Sequence, residues 1–200
     1  MGPLVVAAVL VEDDHLFREW GVRDSKQHRP EERERLAELI MAHCSWKVVV
    51  IGPERIDDRK GSTSLNTLEV RAFASLLDEL RPHKAFVDAC DVSESHFRRA
   101  LLRAMRYRTE LVCEHKADEN YPVVSAASIV AKVHRDQEMR RISEELGEVG
   151  SGYASDPRTR DFLEKWIREN GDLPPHTRRS WATAKQMLGM SKVSKLSDWE

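Results

Sequence analysis

The chain has 200 residues, room for one generous domain or two small ones, and its 40% apolar and 33% charged make-up with a net charge of −2 excludes a disordered or strongly polybasic protein. The longest apolar run, Pro3 to Val11, falls far short of the roughly twenty residues of a membrane-spanning helix, and it lacks the basic leader and small-residue cleavage site of a signal peptide. Cys44, Cys90 and Cys113 are an odd set without paired spacing, which excludes a disulfide framework and a CxxC zinc site and suits a reducing, cytoplasmic setting with no membrane partner.

In chain order, the Val-rich run Leu4 to Val11 predicts a strand covered on both faces, closed by Glu12, Asp13 and Asp14. Pro30 opens a helical pattern with Leu36, Leu39, Ile40 and His43 on one face. Trp46 to Ile51 predicts a second strand, stopped by Gly52-Pro53. Residues 63 to 80 keep helical spacing through Leu65, Leu68, Ala72, Phe73, Leu76 and Leu80, with Pro82 past the end. Ala85 to Val87 predicts a short strand delivering Asp88 at its carboxyl edge. Ser93 to Met105 predicts a helix, and Glu110 to Cys113 a strand.

Pro122 to Leu146 predicts the longest helix. Between Val123 and Val133 its only polar residues are Ser125, Ser128 and Lys132, and the small run 125–128 lets it approach a sheet closely. Ser155-Asp156-Pro157 predicts a capped helix reaching Glu169. Trp181 to Leu188 predicts a short last helix stopped by Gly189. Strands alternating with helices predict an α/β layered domain. Two segments are basic: 97–116, with Arg98, Arg99, Arg103, Arg106, Arg108 and Lys116, and 173–197, with Arg178, Arg179, Lys185, Lys192 and Lys195. They read either as solvated helix faces or as basic walls for an anionic partner.

No GxxxxGK, GxSxG or HExxH motif is present. Asp88 at a strand's carboxyl end and Asp118 before a buried helix are the arrangement by which a sheet edge holds Mg²⁺ or Mn²⁺, ions that take oxygen ligands and keep waters. Asp118 alone is equally an acid placed at a helix start by the dipole.

Seven segments in order resemble the archaeal type of the ribonuclease HII family. They are Gly2-Pro3-Leu4-Val5-Val6-Ala7, Asp24-Ser25-Lys26, Leu65-Asn66-Thr67-Leu68-Glu69, Val87-Asp88-Ala89-Cys90-Asp91-Val92, Lys116-Ala117-Asp118 through Ala131-Lys132, the 150–157 segment Gly-Ser-Gly-Tyr-Ala-Ser-Asp-Pro, and Arg179-Ser180-Trp181. The resemblance implies a ribonuclease H-like mixed sheet flanked by helices over residues 1–172, with a small helical C-terminal extension and tail over 173–200. It implies an endoribonuclease that cuts RNA in RNA–DNA hybrids, and 5′ to ribonucleotides embedded in duplex DNA, leaving 5′-phosphates. The reaction implied is two-metal hydrolysis with Mn²⁺ or Mg²⁺. Asp88 and Asp118 match the third and fourth members of the family's carboxylate cluster, as catalytic residues and metal ligands. An Asp-Glu pair in a DEAGRG-like segment, with the central first strand, is expected shortly before Gly2-Pro3 and is absent from this sequence. The alternatives are therefore an inactive hybrid-binding remnant or a mis-started reading of an intact enzyme.

The same resemblance gives Tyr153 a stacking role at the RNA–DNA junction, against a loop tyrosine packing on the helix after Ser155, and gives Lys26 a phosphate contact, against a surface lysine at a helix start. Ser125 binds phosphate or only permits close packing. Arg179 and Trp181 join a basic substrate wall, Trp181 alternatively a core residue. His115 reads as structural. The C-terminus offers a degenerate sliding-clamp (PCNA) peptide in Leu196 and Trp199 or a polar tail without a partner, and a monomer is expected.

Overall fold

The computed structural model describes residues 1–58 and 64–197. Among these, strands and helices alternate as β1 (Leu4–Leu10), α1 (His15–Glu19), α2 (Pro30–His43), β2 (Ser45–Ile51), α3 (Pro53–Asp57), α4 (Leu65–Leu80), β3 (Lys84–Asp88), α5 (Glu94–Ala104), β4 (Glu110–Glu114), α6 (Ala117–Asn120), α7 (Pro122–Leu146), α8 (Pro157–Asn170) and α9 (Ala182–Ser197). A 3₁₀ turn, Ser25–Gln27, precedes α2. The expected α/β class holds. The strands form two hydrogen-bonded pairs, β1–β2 and β3–β4. No helix among the described residues is long and apolar enough to cross a membrane.

The helix ends follow local chemistry. Ser64 accepts the Thr67 N–H at 3.2 Å, Ser93 accepts that of His96 at 3.3 Å, and Asp156 accepts that of Arg158 at 3.0 Å, each satisfying an orphan donor of a first turn. Gly171 closes α8 with φ +74°, a conformation that costs a residue with a Cβ.

The chain divides into two compact units. The first comprises Val5–Val50 and Ser62–His134. One of its cores gathers Ala7, Phe17, Leu36, Ile40, Ala126, Ile129 and Val130, so the small residues of α7 do pack closely. Val6 and Ala7, adjacent on β1, are both buried, as a strand covered on both faces requires. A second core joins α4 and α5 to the β3–β4 pair through Val70, Ala74, Leu77, Val87, Phe97 and Leu111. β3 and β4 run parallel, with Asp88 opposite Glu114, and α5 is the crossover between them.

The second unit comprises Met1–Leu4, Ile51–Gly61 and Arg135–Glu200. Met139, Ile142 and Val149 form one of its cores, and Ile167, Leu173 and Ala184 another. Residues after 172 group in this unit with those from 135 onward.

Several expectations change. Gly189 does not stop the last helix, which runs on to Ser197. A Cβ at Gly189 would meet nothing within 4 Å, so neither a turn nor a close approach requires glycine there. Trp181 is not a core residue: it is 40% exposed and precedes α9. Helices α1, α3 and α6, of four or five residues, are too short for a 3.6-residue period to register. Thr63 and Trp199 lie outside the described residues, as does the side chain of Leu196.

Candidate active site

The end of β3 delivers Asp88, and the parallel register carries β4 out at the same edge. The Ala89 N–H still donates to the Glu114 carbonyl at 2.9 Å. Beyond it the chain reverses through Lys116, held at φ +57°. That turn starts α6 and places Asp118 in its first turn. The Ala117 N–H donates to Asp88 Oδ1 at 3.3 Å, so the two acids are brought to one place by the strand edge and the turn together.

The surroundings of Asp88 disfavour its charge. Burial pushes the Asp88 carboxyl above its ordinary value, the Ala117 N–H opposes the shift, and the Asp118 carboxylate adds to it. Asp118 itself is only 8% exposed. Lys26 supplies a cation, its Nζ 3.9 Å from Asp118 Oδ2 on a largely exposed side chain. Ser125 is buried, and its hydroxyl donates to the Asp118 carbonyl, so that hydroxyl holds α6 onto α7.

His115 fastens the same edge. Its N–H donates to Glu94 Oε1 at 2.7 Å, and its ring nitrogens lie 3.2 Å from the Ala89 carbonyl and 3.3 Å from that of Val92. This matches the structural reading.

Two carboxylates are an oxygen set suited to a hard divalent ion that keeps several waters and completes its shell with phosphate oxygens. Among the described residues no group of three or more His, Cys, Asp or Glu converges. The donors present thus fit one such ion, and a two-ion clamp calls for more oxygens than they bring together.

The second unit holds the other candidates. Tyr153 is 52% exposed, and the Arg135 guanidinium lies 3.9 Å from its ring centroid. Its loop is fixed by a residue the sequence did not single out, Thr159. The buried Thr159 hydroxyl donates to the Val149 carbonyl and accepts the Gly152 N–H, both at 2.9 Å. Asp156 accepts the Ser151 N–H at 2.7 Å in the same loop, and its hydrogen bonds with Ser151 lower its carboxyl pKa to about 2.

Arg178 stacks on Trp181 at 4.6 Å and donates to the carbonyls of Gly2 and Pro3. Arg179 donates to Asp172 Oδ2 at 2.6 Å, and its N–H to Asp57 Oδ2 at 2.6 Å. Tyr153, Trp181, Arg135, Arg178 and Leu163 line a surface pocket.

The basic segment 97–116 does not act as one wall. α5 runs back from the Asp88 edge toward the start of β4, where Glu110 pairs with Lys84. Nine residues of helix put Arg103 roughly 14 Å along from Glu94. Only Lys116 of that segment stands beside Asp118 in the chain. Sequence reasoning also passed over Ser25 and Lys132 as a pair: the Lys132 ammonium donates to the Ser25 hydroxyl. The signal was available in the three polar positions 125, 128 and 132 on one face of an apolar helix.

A mixed α/β fold that sets two acids at the carboxyl edge of a parallel strand pair places the chain in the ribonuclease H-like class. The profile of the family described as Ribonuclease HII matches residues 1–184. Ribonuclease HII of Pyrococcus abyssi is 42% identical over 202 residues, covering 98% of this chain and 89% of that protein. Ribonuclease HII of Methanococcus maripaludis is 40% identical over 206 residues, covering 100% and 86%. Among solved structures, the ribonuclease HII in a PCNA:RNase HII complex from Archaeoglobus fulgidus superposes with a TM-score of 0.86 at 42% identity, over 94% of this chain and 90% of that one. A Bst-RNase HIII in complex with Mn²⁺ gives 0.80 at 25% identity, over 96% and 66%. The chain belongs to the ribonuclease HII family.

Proposed function

We propose that the chain is an endoribonuclease that hydrolyses the RNA strand of RNA–DNA hybrids and cuts 5′ to ribonucleotides embedded in duplex DNA. The observation that carries this reading is the pairing of Asp88 with Asp118 within a chain that matches the family from residue 1 to 184. Asp88 and Asp118 would hold Mg²⁺ or Mn²⁺, and the solved Mn²⁺ complex of the Bst enzyme supports that class of ion. When bound, the ion supplies charge neutralisation at the scissile phosphate and lowers the pKa of a coordinated water.

The protein's own groups do the rest. Lys26 has the charge and reach to move from Asp118 to a phosphate oxygen. Ser125 keeps Asp118 in place through its carbonyl and is a positioning residue in this scheme. Tyr153, its ring half-exposed and backed by Arg135, offers a stacking face for the sugar next to the ribonucleotide. Arg179, tied to Asp172 and Asp57, shapes the neighbouring wall. The PCNA complex of the Archaeoglobus protein supports the same partner here, with Leu196 and Trp199 as its contacts.

A second reading, a hybrid-binding protein without cleavage, is favoured by one observation: only two carboxylates converge among the described residues. A duplex carrying one ribonucleotide, incubated with the full chain in Mn²⁺, separates the two. Cleavage 5′ to the ribonucleotide, abolished in Asp88→Asn with hybrid affinity retained within about threefold, supports the nuclease. Binding without turnover supports the second reading, and no binding at all sinks both. The threefold margin reflects Asp88's place beside the metal, whereas phosphate affinity comes from Lys and Arg.

A further inference from the structure

The polar face of α7 works on two partners. Ser125 donates to the Asp118 carbonyl, on the acidic side of the site. Ser128 and Lys132, one and two turns on, converge on Ser25. The Lys132 ammonium donates to the Ser25 hydroxyl, and Ser128 Oγ lies 3.0 Å from the same oxygen. Ser25 is fully buried, so its hydroxyl meets no solvent and these side chains are its anchorage.

Ser25 opens the 3₁₀ turn that carries Lys26. Asp24 caps the turn by accepting the Lys26 N–H at 3.0 Å. The Lys26 side chain is exposed and flexible, yet its ammonium stands 3.9 Å from Asp118. Fixing its Cα limits where that flexible four-carbon stem carries the ammonium. Lys132 is an expensive anchor. Burial depresses its ammonium pKa, Lys26 and Arg33 press the same way, and Asp24 and Asp118 oppose them. A half-buried cation serving one serine hydroxyl, when a plain apolar side chain would fill the helix face, points to a job at that hydroxyl.

We infer that Lys132 is a positioning residue: through the Ser25 hydroxyl it fixes the Ser25–Gln27 turn and so aims the Lys26 ammonium at the Asp118 edge. The inference rests on the nuclease reading in giving Lys26 a phosphate to meet, but the geometry it claims exists without substrate.

Two measurements on the full chain test it. The first is a double-mutant cycle on affinity for a short labelled RNA–DNA hybrid in EDTA, so that no bond is cut. Lys26→Met and Lys132→Met should each weaken binding about fivefold, the scale of one exposed charge contact, and the double variant should be no weaker than either single one. Lys132→Arg, which keeps charge and donor, should recover part of the loss. Additive losses, or a Lys132→Met variant that binds like the parent, overturn the inference. If Lys132→Met does not fold, Ser25→Ala, which removes only the relaying hydroxyl, takes its place in the cycle with the same outcomes.

The second measurement needs no nucleic acid. Acylation of Lys26 by acetic anhydride, read by mass spectrometry, should be slow in the parent and equally accelerated in Ser25→Ala, Lys132→Met and Asp118→Asn. Acceleration in Asp118→Asn alone overturns the inference. A parent that fails to bind the hybrid counts against the nuclease reading, while the acylation rates still decide the role of Lys132.

Discussion

Asp88 is a carboxylate held at a cost to the fold. Burial and the nearby Asp118 carboxylate raise its pKa in the folded state above the ordinary 3.8. Below about pH 3 the group is protonated in both folded and unfolded chains and costs nothing; the cost grows as pH rises from the ordinary 3.8 to the raised folded value and is complete above it. Asn has the same shape and still accepts the Ala117 N–H. Asp88→Asn should therefore melt higher than the parent at about pH 7 in metal-free buffer, with the gain closing near pH 3. Thermal melts at the two pH values check this, and a variant that melts lower at neutral pH would make Asp88 a structural residue.

The secondary-structure elements separate what local chemistry decides from what packing decides. Caps and prolines marked the starts of α2, α7 and α8, because those signals act within one turn. The same local logic misplaced the end of α9, where a glycine reads as a stop but the helix continues. Glycine in an exposed helix interior costs conformational entropy without ending the helix. Gly189→Ala should raise stability by about 0.5–1 kcal/mol, read from the denaturant midpoint at unchanged slope. A loss of stability would mean that this position needs glycine's freedom after all.

At the scale of the whole molecule, a net charge of −2 hides where the cations stand. Six basic residues between 97 and 116 look like one wall in sequence, but α5 returns from the Asp88 edge and carries Arg103 to the other end of the strand pair. Lys26, distant from that segment in sequence, stands at the edge instead. Affinity for a hybrid should fall with salt by about −0.9 log unit for each phosphate neutralised, a figure for B-form duplex carried over approximately. Lys26→Met should flatten that slope by about one unit, and Arg103→Ala should leave it unchanged. Fluorescence anisotropy across a salt series measures both slopes. A flatter slope in the Arg103 variant would show that the duplex reaches the far end of α5.

The sequence by itself determined the alternation of strands and helices, the strand that ends at Asp88, the buried small-residue face of α7 and the membership signalled by seven ordered segments, since each is a local pattern of polarity, caps and breakers. It also placed Asp88 and Asp118 together through resemblance. What only the tertiary structure decided is which groups answer one another across long separations: Ser125 on Asp118, Lys132 on Ser25 at 107 residues' distance, Thr159 on the Tyr153 loop, and Arg179 on Asp57. Hydrogen-bond partners are fixed by where the backbone turns return, as the left-handed Lys116 turn returns Asp118 to Asp88, and no periodicity along the chain encodes that distance.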